Sequence, residues 1–257
     1  EDLGYHRLTV SDHLDDQLSP VAALMAAADA TTSLRIGALL FCNDYRHPAV
    51  LAKEAATLDI LSDGRFELGM GAGWMTSDYL AAGIAMDAPS VRIARLEEAI
   101  EVVQGLLSDG PCTFEGEHYR IDGLSGSPKP VQRPVPLLVG GGGRKILEVA
   151  GRHADIVGLN PKLPNGVIDA SAGPDATAAA TDRKIGWIRD AAGDRFAQIE
   201  LHTRIHIALV SDDRQGMAEA LAPALGISPA DALESPHALC GTVDEIAEDL
   251  IARRERH

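Results

Sequence analysis

Aromatic residues, cysteines and positive charge are all scarce in this 257-residue chain. Aromatic residues make up 4% of it, and 23 lysines and arginines stand against 38 aspartates and glutamates, for a formal net charge of −15. A surface of this sign repels phosphate backbones, and few rings are available to stack on bases. These deficits exclude a nucleic-acid-binding protein as the expected class.

Long apolar runs are also missing. No stretch reaches the roughly 20 apolar residues that a membrane-spanning helix needs, and Glu1–Arg7 lacks the basic-then-apolar pattern of a signal peptide. The three cysteines, Cys42, Cys112 and Cys240, form no CxxC pair, so neither a disulfide framework nor a structural zinc site is expected. We therefore expect a soluble, cytoplasmic protein without a membrane or nucleic-acid partner.

Short β-branched or apolar runs alternate with longer helical patterns along the chain. Parallel strands joined by right-handed crossovers produce this alternation, and both a closed α/β barrel and an open doubly wound sheet satisfy it. The barrel is favoured because Gly, His and Asp residues follow several different strands. The predicted strands are Arg7–Val10, Leu34–Phe41, Phe66–Met70, Pro136–Val139, Ile156–Leu159 and Ile199–Val210. The predicted helices are Val21–Thr31, Pro48–Leu61, Ser90–Ser108, Arg144–His153, Ala176–Ala192, Gln215–Leu225 and Val243–Arg254.

The predicted strands number six, and a TIM-type (β/α)8 barrel has eight. The chain begins directly before a strand, and its last predicted element is a helix. We therefore expect one barrel domain over residues 1–257 that lacks the first and last strands. Two Gly- and Pro-rich connections, Asp109–Arg133 and Asn160–Pro174, are expected to be long loops, either lids over a site or padding.

An acid and an imidazole follow the first predicted strand. Asp12 and His13 stand where the catalytic rim of a barrel would lie, and histidine can donate or accept a proton near neutral pH. The alternative is structural, with Asp12 as a cap of the next segment and His13 as a surface loop residue. The residues by themselves leave both interpretations open.

Two glycine-rich segments follow later strands. The glycines of Gly69–Trp74 would let a flat ligand approach the backbone, and Trp74 would either line a pocket or pack the loop onto the core. Gly140–Gly143 opens the predicted helix Arg144–His153. Four glycines before a helix N-terminus form a cradle for an anion, to which Arg144 would add charge. A plain tight turn needs fewer glycines, so an anion site is favoured there.

Other candidates are weaker. The segment Asn43–His47 lies on the same predicted rim, before a proline that suits a first helical turn. His202, Arg204 and His206 share one face of a predicted strand, but the arginine between the two histidines argues against a metal site. No residue next to Cys42 marks it as a nucleophile.

Nearly the whole chain resembles the bacterial luciferase-like flavin oxidoreductases. The segments that carry the likeness are His47–Asp59, Ser62–Gly69, Gly71–Trp74, Ser127–Gln132, Gly140–Gly143, Ala150–Asp155 and Gly241–Ile246. Within this superfamily the chain looks most like the branch that uses the deazaflavin coenzyme F420. The resemblance implies an eight-stranded barrel that holds the cofactor ring at its C-terminal mouth. It also implies a homodimer formed through helices such as Pro48–Leu61.

The resemblance assigns catalytic roles to Asp12 and His13. They match an Asp-His pair beside the ring, in which the histidine stabilises charge at the reactive face and the aspartate orients it. Trp74, a further implied contact of the cofactor, stands where the sugar-phosphate dehydrogenase branch carries a glutamate acid or base. This departure argues against a sugar-phosphate substrate.

The resemblance also implies how the cofactor is held. Ala38 and Leu39 fall where relatives carry a non-prolyl cis peptide bond behind the ring. Ala72 and Gly73 match backbone contacts to the ring, and Gly140, Gly141, Gly142 and Gly143 match the segment along the ribityl-phosphate tail.

Hydride transfer between F420 and a small organic substrate is the implied function. One alternative is an FMN-dependent monooxygenase of the same family that works with a partner reductase. Another is a non-catalytic flavin-binding protein on an incomplete barrel. A metal-dependent barrel hydrolase, which would need bound zinc or manganese, has the least support.

Overall fold

The computed structural model describes residues 1–163 and 166–256, and they divide into two compact units. Unit 1 comprises Glu1–Gly140 and His153–Ile156, and unit 2 comprises Gly141–Arg152 and the described residues from Val157 onward. Residues 164 and 165, which belong to the predicted loop Asn160–Pro174, lie outside the described residues.

Strands and helices alternate through most of the chain. The strands are β1 (Arg7–Val10), β2 (Arg35–Ala38), β3 (Phe41–Cys42), β4 (Phe66–Gly71), β5 (Pro111–Glu115), β6 (Arg120–Ser125), β7 (Leu137–Gly141), β8 (Ile156–Leu159), β9 (Glu200–Thr203), β10 (Ile207–Val210) and β11 (Ala238–Gly241). The α-helices are α1 (Pro20–Asp29), α2 (Pro48–Leu61), α3 (Thr76–Ala82), α4 (Pro89–Leu107), α5 (Arg144–His153), α6 (Ala178–Ala192), α7 (Arg214–Leu225), α8 (Pro229–Glu234) and α9 (Val243–Arg256).

A parallel sheet forms the centre of unit 1. β1, β2, β4 and β7 are hydrogen-bonded neighbours in that order, and β3 also pairs with β4. Every residue of β4 is buried, as is typical of a parallel strand covered on both faces. Because parallel strands end at the same edge of a sheet, the loops after β1, β3 and β4 lie together at that edge.

The core of unit 1 lies between this sheet and its helices. α2 packs against α4, α1 and β4. Pro48 begins α2, at a position where a backbone N–H would have no partner within the helix. Asp63 and Gly64, with φ angles of +55° and +73°, then turn the chain into β4. The side chains that are almost fully buried include Ile36, Phe41, Leu51, Phe66, Leu68, Met70, Leu96 and Ile100.

A hairpin occupies the segment that the sequence analysis predicted as the long loop Asp109–Arg133. β5 and β6 pair in antiparallel register, and the Glu98 carboxylate on α4 accepts hydrogen bonds from the backbone N–H groups of the tip. These N–H groups belong to Glu117, His118 and Tyr119, at 2.8, 2.8 and 3.0 Å. The prediction was wrong because both strands are mostly exposed and lack a clear apolar alternation.

Unit 2 contains strands that the sequence analysis placed differently. The predicted strand Ile199–Val210 is two strands, β9 and β10, and β8 and β9 are neighbours. β10 pairs in parallel with β11, which the analysis missed because its four residues include no β-branched side chain. The count of six strands was therefore too low. The short helices α3 and α8 were also missed.

Within residues 1–163 and 166–256, no helix combines the length and apolar character that a bilayer crossing requires.

Candidate active site

His13 and Trp74 meet at the carboxyl-end edge of the sheet in unit 1. His13 comes three residues after the end of β1, and Trp74 comes three residues after the end of β4. Their ring centroids are 5.4 Å apart, and the ring planes are nearly perpendicular at 87°. Two predicted site residues from separate loops thus contact each other.

Asp78 is the carboxylate that contacts His13. Its Oδ2 lies 2.8 Å from Nδ1 of His13 and accepts a hydrogen bond from the Tyr45 hydroxyl at 3.2 Å. Asp78 is only 4% exposed and lies in the first turn of α3, where the helix dipole favours a negative charge. Sequence reasoning missed Asp78, although Thr76, Ser77 and Asp78 are residue types that often begin helices.

The Asp12 carboxylate contacts β3 and the residues that follow it. Its Oδ2 accepts a hydrogen bond from the backbone N–H of Cys42 at 2.9 Å, and its Oδ1 accepts one from Nη2 of Arg46 at 3.1 Å. Each oxygen of the Asp12 carboxylate thus has a partner other than His13, and the predicted role of Asp12 in orienting His13 stays a prediction. Asp12 fastens the loop after β1 to the start of the 3₁₀ turn Asn43–Tyr45.

Arg92 fixes the glycine turn that follows β4. It is 6% exposed, and its guanidinium donates hydrogen bonds to the carbonyl oxygens of Ala72 at 3.1 Å, of Gly73, and of Asp87 at 2.9 Å. Gly73 has a φ of +74°, and a Cβ atom there would overlap the Tyr79 hydroxyl. Only glycine fits this position without a shift of its neighbours.

A buried polar network lies beside this turn. The Tyr79 hydroxyl donates a hydrogen bond to Oδ2 of Asp44 at 2.8 Å and lies 3.5 Å from Sγ of Cys42. Arg95 donates to Oδ1 of Asp44 at 2.8 Å and also pairs with Asp87. Burial raises the pKa of the Tyr79 hydroxyl and of the Cys42 thiol above their ordinary values. Both groups therefore stay protonated near neutral pH, and Cys42 lacks the thiolate character of a nucleophile.

The predicted cis peptide bond is present one residue later than expected. It joins Leu39 and Leu40, whereas Ala38 and Leu39 were predicted. The predicted strand Leu34–Phe41 is divided at this point into β2 and β3. Leu40 packs against β4, since a Cβ on Gly71 would lie 3.2 Å from the Cβ of Leu40.

The boundary between the two units falls within the four consecutive glycines, between Gly140 and Gly141. A Cβ on Gly142 would come within 2.5 Å of the Pro161 carbonyl, so packing within unit 2 accounts for that glycine. At Gly143, just before α5, a Cβ would meet no heavy atom within 4 Å. Arg144 is paired with Glu148 at 2.7 Å. The predicted contact of this segment with a cofactor tail stays a prediction.

The predicted histidine face in unit 2 does not form, because β9 ends at Thr203 and His206 lies between two strands. The ring of His206 lies 5.7 Å from that of His237. Burial lowers the pKa of both, that of His237 to about 4. In the described parts of the chain, no group of three or more His, Cys, Asp or Glu side chains is arranged to hold a metal ion.

Comparison with known proteins places these observations in a family. Residues 1–255 match the model of the luciferase-like monooxygenases. An F420-dependent glucose-6-phosphate dehydrogenase of Nakamurella multipartita is 28% identical over 99% of this chain and 75% of its own length. An FMNH(2)-dependent dimethylsulfone monooxygenase of Pseudomonas fluorescens is 32% identical over 63% of this chain and 44% of its own length. With other dehydrogenases of the first name, the chain spans about half of their length.

A solved structure shares the fold. An F420-dependent secondary alcohol dehydrogenase, determined in complex with an F420-acetone adduct, aligns with a TM-score of 0.73 at 23% identity. The alignment covers 99% of this chain and 82% of that one. The fold is thus of the α/β luciferase-like type, built on a parallel sheet. Together with the match over residues 1–255, these findings show that the chain belongs to the luciferase-like monooxygenase family.

Proposed function

We propose that this protein is an F420-dependent oxidoreductase that transfers a hydride between the deazaflavin and a small organic substrate. The observation that carries the proposal is the meeting of His13, Trp74 and the glycine turn at one edge of the sheet in unit 1. The names of the relatives that match over most of this chain support F420 as the cofactor. FMN is the second candidate, and the similarity to an FMNH(2)-dependent monooxygenase favours it.

The residues at this edge suit a flat and largely apolar ring. Ala72 and Gly73 are partly exposed and present backbone with at most a methyl group, so a ring can approach closely. Trp74 offers an aromatic surface beside them, and Arg92 holds the turn in place. His13, with 17% of its side chain exposed, is the polar group that a bound ring and substrate would meet.

When bound, F420 supplies the hydride acceptor or donor. The residues of the chain position the cofactor ring and the substrate, and they exchange protons with the substrate. His13 exchanges a proton with the substrate oxygen or, when its ring is charged, donates a hydrogen bond to it as charge develops there. Asp12 and Arg92 keep the loops after β1 and β4 in fixed positions. The anion site predicted at the glycines before α5 is part of the same proposal and rests on the family resemblance.

The finer features implied by the family belong to the same proposal. These are a (β/α)8-type barrel and a homodimer, and the cytoplasmic location expected from the cysteines is proposed with them. Val50 and Leu61 on α2 are 52% and 61% exposed, which supports the use of this helix at a dimer interface. The proposed substrate is a small organic molecule.

Titration of the purified protein with F420 and with FMN tests the choice of cofactor. We expect the Kd for F420 to be at least about tenfold lower than that for FMN. His13→Ala should leave the Kd for F420 within about threefold and abolish F420-linked turnover of a panel of alcohols and carbonyl compounds. Asp16→Asn, an exposed change in the same loop, is the control.

Each contrary outcome points to a named alternative. Tighter binding of FMN would favour the FMN-dependent monooxygenase. Tight F420 binding without turnover of any compound in the panel would favour a non-catalytic flavin-binding protein. Undiminished turnover by His13→Ala would remove His13 from the mechanism.

A further inference from the structure

We propose that Asp78 and Tyr45 are positioning residues that keep the proton of the His13 ring on Nδ1. The effect of this tautomer on proton exchange between His13 and the substrate rests on the proposed function. The tautomer itself is a property of the free protein and can be measured without any cofactor.

The first step concerns the Tyr45 hydroxyl. Burial raises the pKa of Tyr45 well above its ordinary value, and the nearby negative charge of Asp78 adds to the effect. The hydroxyl therefore keeps its proton near neutral pH and donates it toward Oδ2 of Asp78 at 3.2 Å. The oxygen that contacts His13 is thus already used as an acceptor.

The second step concerns the ring nitrogen that faces this oxygen. An ionised carboxylate has acceptors and no donor, and Nδ1 of His13 lies 2.8 Å from Oδ2 of Asp78. A nitrogen at this distance from such an oxygen is a donor, so His13 carries a proton on Nδ1 whether the ring is neutral or charged. In the neutral ring, Nε2 then has the free lone pair.

The third step is the rigidity of the arrangement. Asp78 is 4% exposed and sits on α3, so its carboxylate has little freedom to turn away. The edge-to-face contact with Trp74 at 5.4 Å opposes a flip of the His13 ring. Asp12 is itself held in place, since its oxygens accept hydrogen bonds from Cys42 and Arg46.

Nitrogen-15 NMR of the free protein tests the tautomer directly. His13 is assigned by the loss of its signals in His13→Gln, and its two ring nitrogens are then compared near neutral pH. We expect the Nδ1–H form to dominate in the wild type. In Asp78→Asn an amide N–H can donate to Nδ1, so the Nε2–H form should gain population. Asp16→Asn, the matched control on the surface, should leave the spectrum of His13 unchanged.

Kinetics separate positioning from a general loss of structure. In the F420-linked assay, Asp78→Asn should lower kcat about 10- to 100-fold, the range found when a group that orients a metal-bound histidine is changed. KM and the Kd for F420 should stay within about threefold, and Asp78→Glu should restore part of kcat. Tyr45→Phe, which removes only the hydroxyl, should lower kcat about three- to tenfold.

Two results would overturn the inference. The first is a dominant Nε2–H form in the wild type, and the second is an unchanged tautomer in folded Asp78→Asn. If Asp78→Asn fails to fold, the wild-type spectrum still decides the question. Absence of F420 turnover in the wild type would contradict the proposed function alone, because the spectrum of the free protein does not depend on it.

Discussion

Replacement of Gly73 by alanine tests whether the turn after β4 has room for a side chain. The φ of +74° is a left-handed conformation that costs other residues roughly 1–2 kcal/mol. The added Cβ would also overlap the Tyr79 hydroxyl, which is held by Asp44 at 2.8 Å and cannot move freely. Overpacking of this kind typically costs about 1–3 kcal/mol. We therefore expect Gly73→Ala to lower the free energy of unfolding by about 2–5 kcal/mol.

Gly83→Ala is the matched control, because Gly83 has a similar φ of +68° and a Cβ there would meet no heavy atom within 4 Å. It should cost only the backbone penalty of about 1–2 kcal/mol. Urea unfolding followed by tryptophan fluorescence measures both variants. In Gly73→Ala/Tyr79→Phe the hydroxyl is gone, so the double variant should lose less stability than the two single variants together. Equal losses in Gly73→Ala and Gly83→Ala would refute the steric argument.

Two further predictions concern Arg92 and His237. Arg92→Met removes the guanidinium that donates to three carbonyl oxygens, so the Kd for F420 should rise about tenfold or more and stability should fall by about 2–4 kcal/mol, as measured by titration and urea unfolding. An unchanged Kd would show that the turn holds its shape without Arg92. Burial lowers the pKa of His237 from 6.5 to about 4, so between these pH values the unfolded chain binds a proton that the folded chain does not. Folding should therefore lose about 3 kcal/mol of stability as the pH falls from about 6.5 to 4, and urea unfolding at pH 7 and pH 4 should show a smaller loss in His237→Gln.

The parts of the fold that could be predicted are those whose signals are local. The bounds of α2 were predicted correctly because Pro48 marks its first turn and a turn at Asp63 and Gly64 follows its end. β1 and β8 were likewise predicted from their short β-branched or apolar runs. The hairpin β5–β6 and the strand β11 were missed because exposed or very short strands carry no periodic apolar pattern.

Sequence reasoning named two side chains that meet in the structure but missed the residues that contact them. His13 and Trp74 could be named because each follows a predicted strand. The partner of His13 could not, since Asp78 lies 65 residues further along the chain on a helix of seven residues. Arg92 is a similar case, because its donors meet the carbonyls of Ala72 and Gly73 only after α4 has packed against the sheet. Such contacts depend on the folded arrangement and leave no trace in spacing or composition.

The hydrogen bonds from the tip of the β5–β6 hairpin to Glu98 allow the amino-acid sequence of the tip to vary. The carboxylate binds three backbone N–H groups, at Glu117, His118 and Tyr119, and backbone groups are the same for every residue except proline. Mutations at 117 and 118 can therefore accumulate without loosening the tip, provided that neither introduces proline. The Tyr119 hydroxyl accepts a hydrogen bond from Asn43 in the loop after β3, so inherited changes at 119 would alter that loop while the hairpin stayed in place.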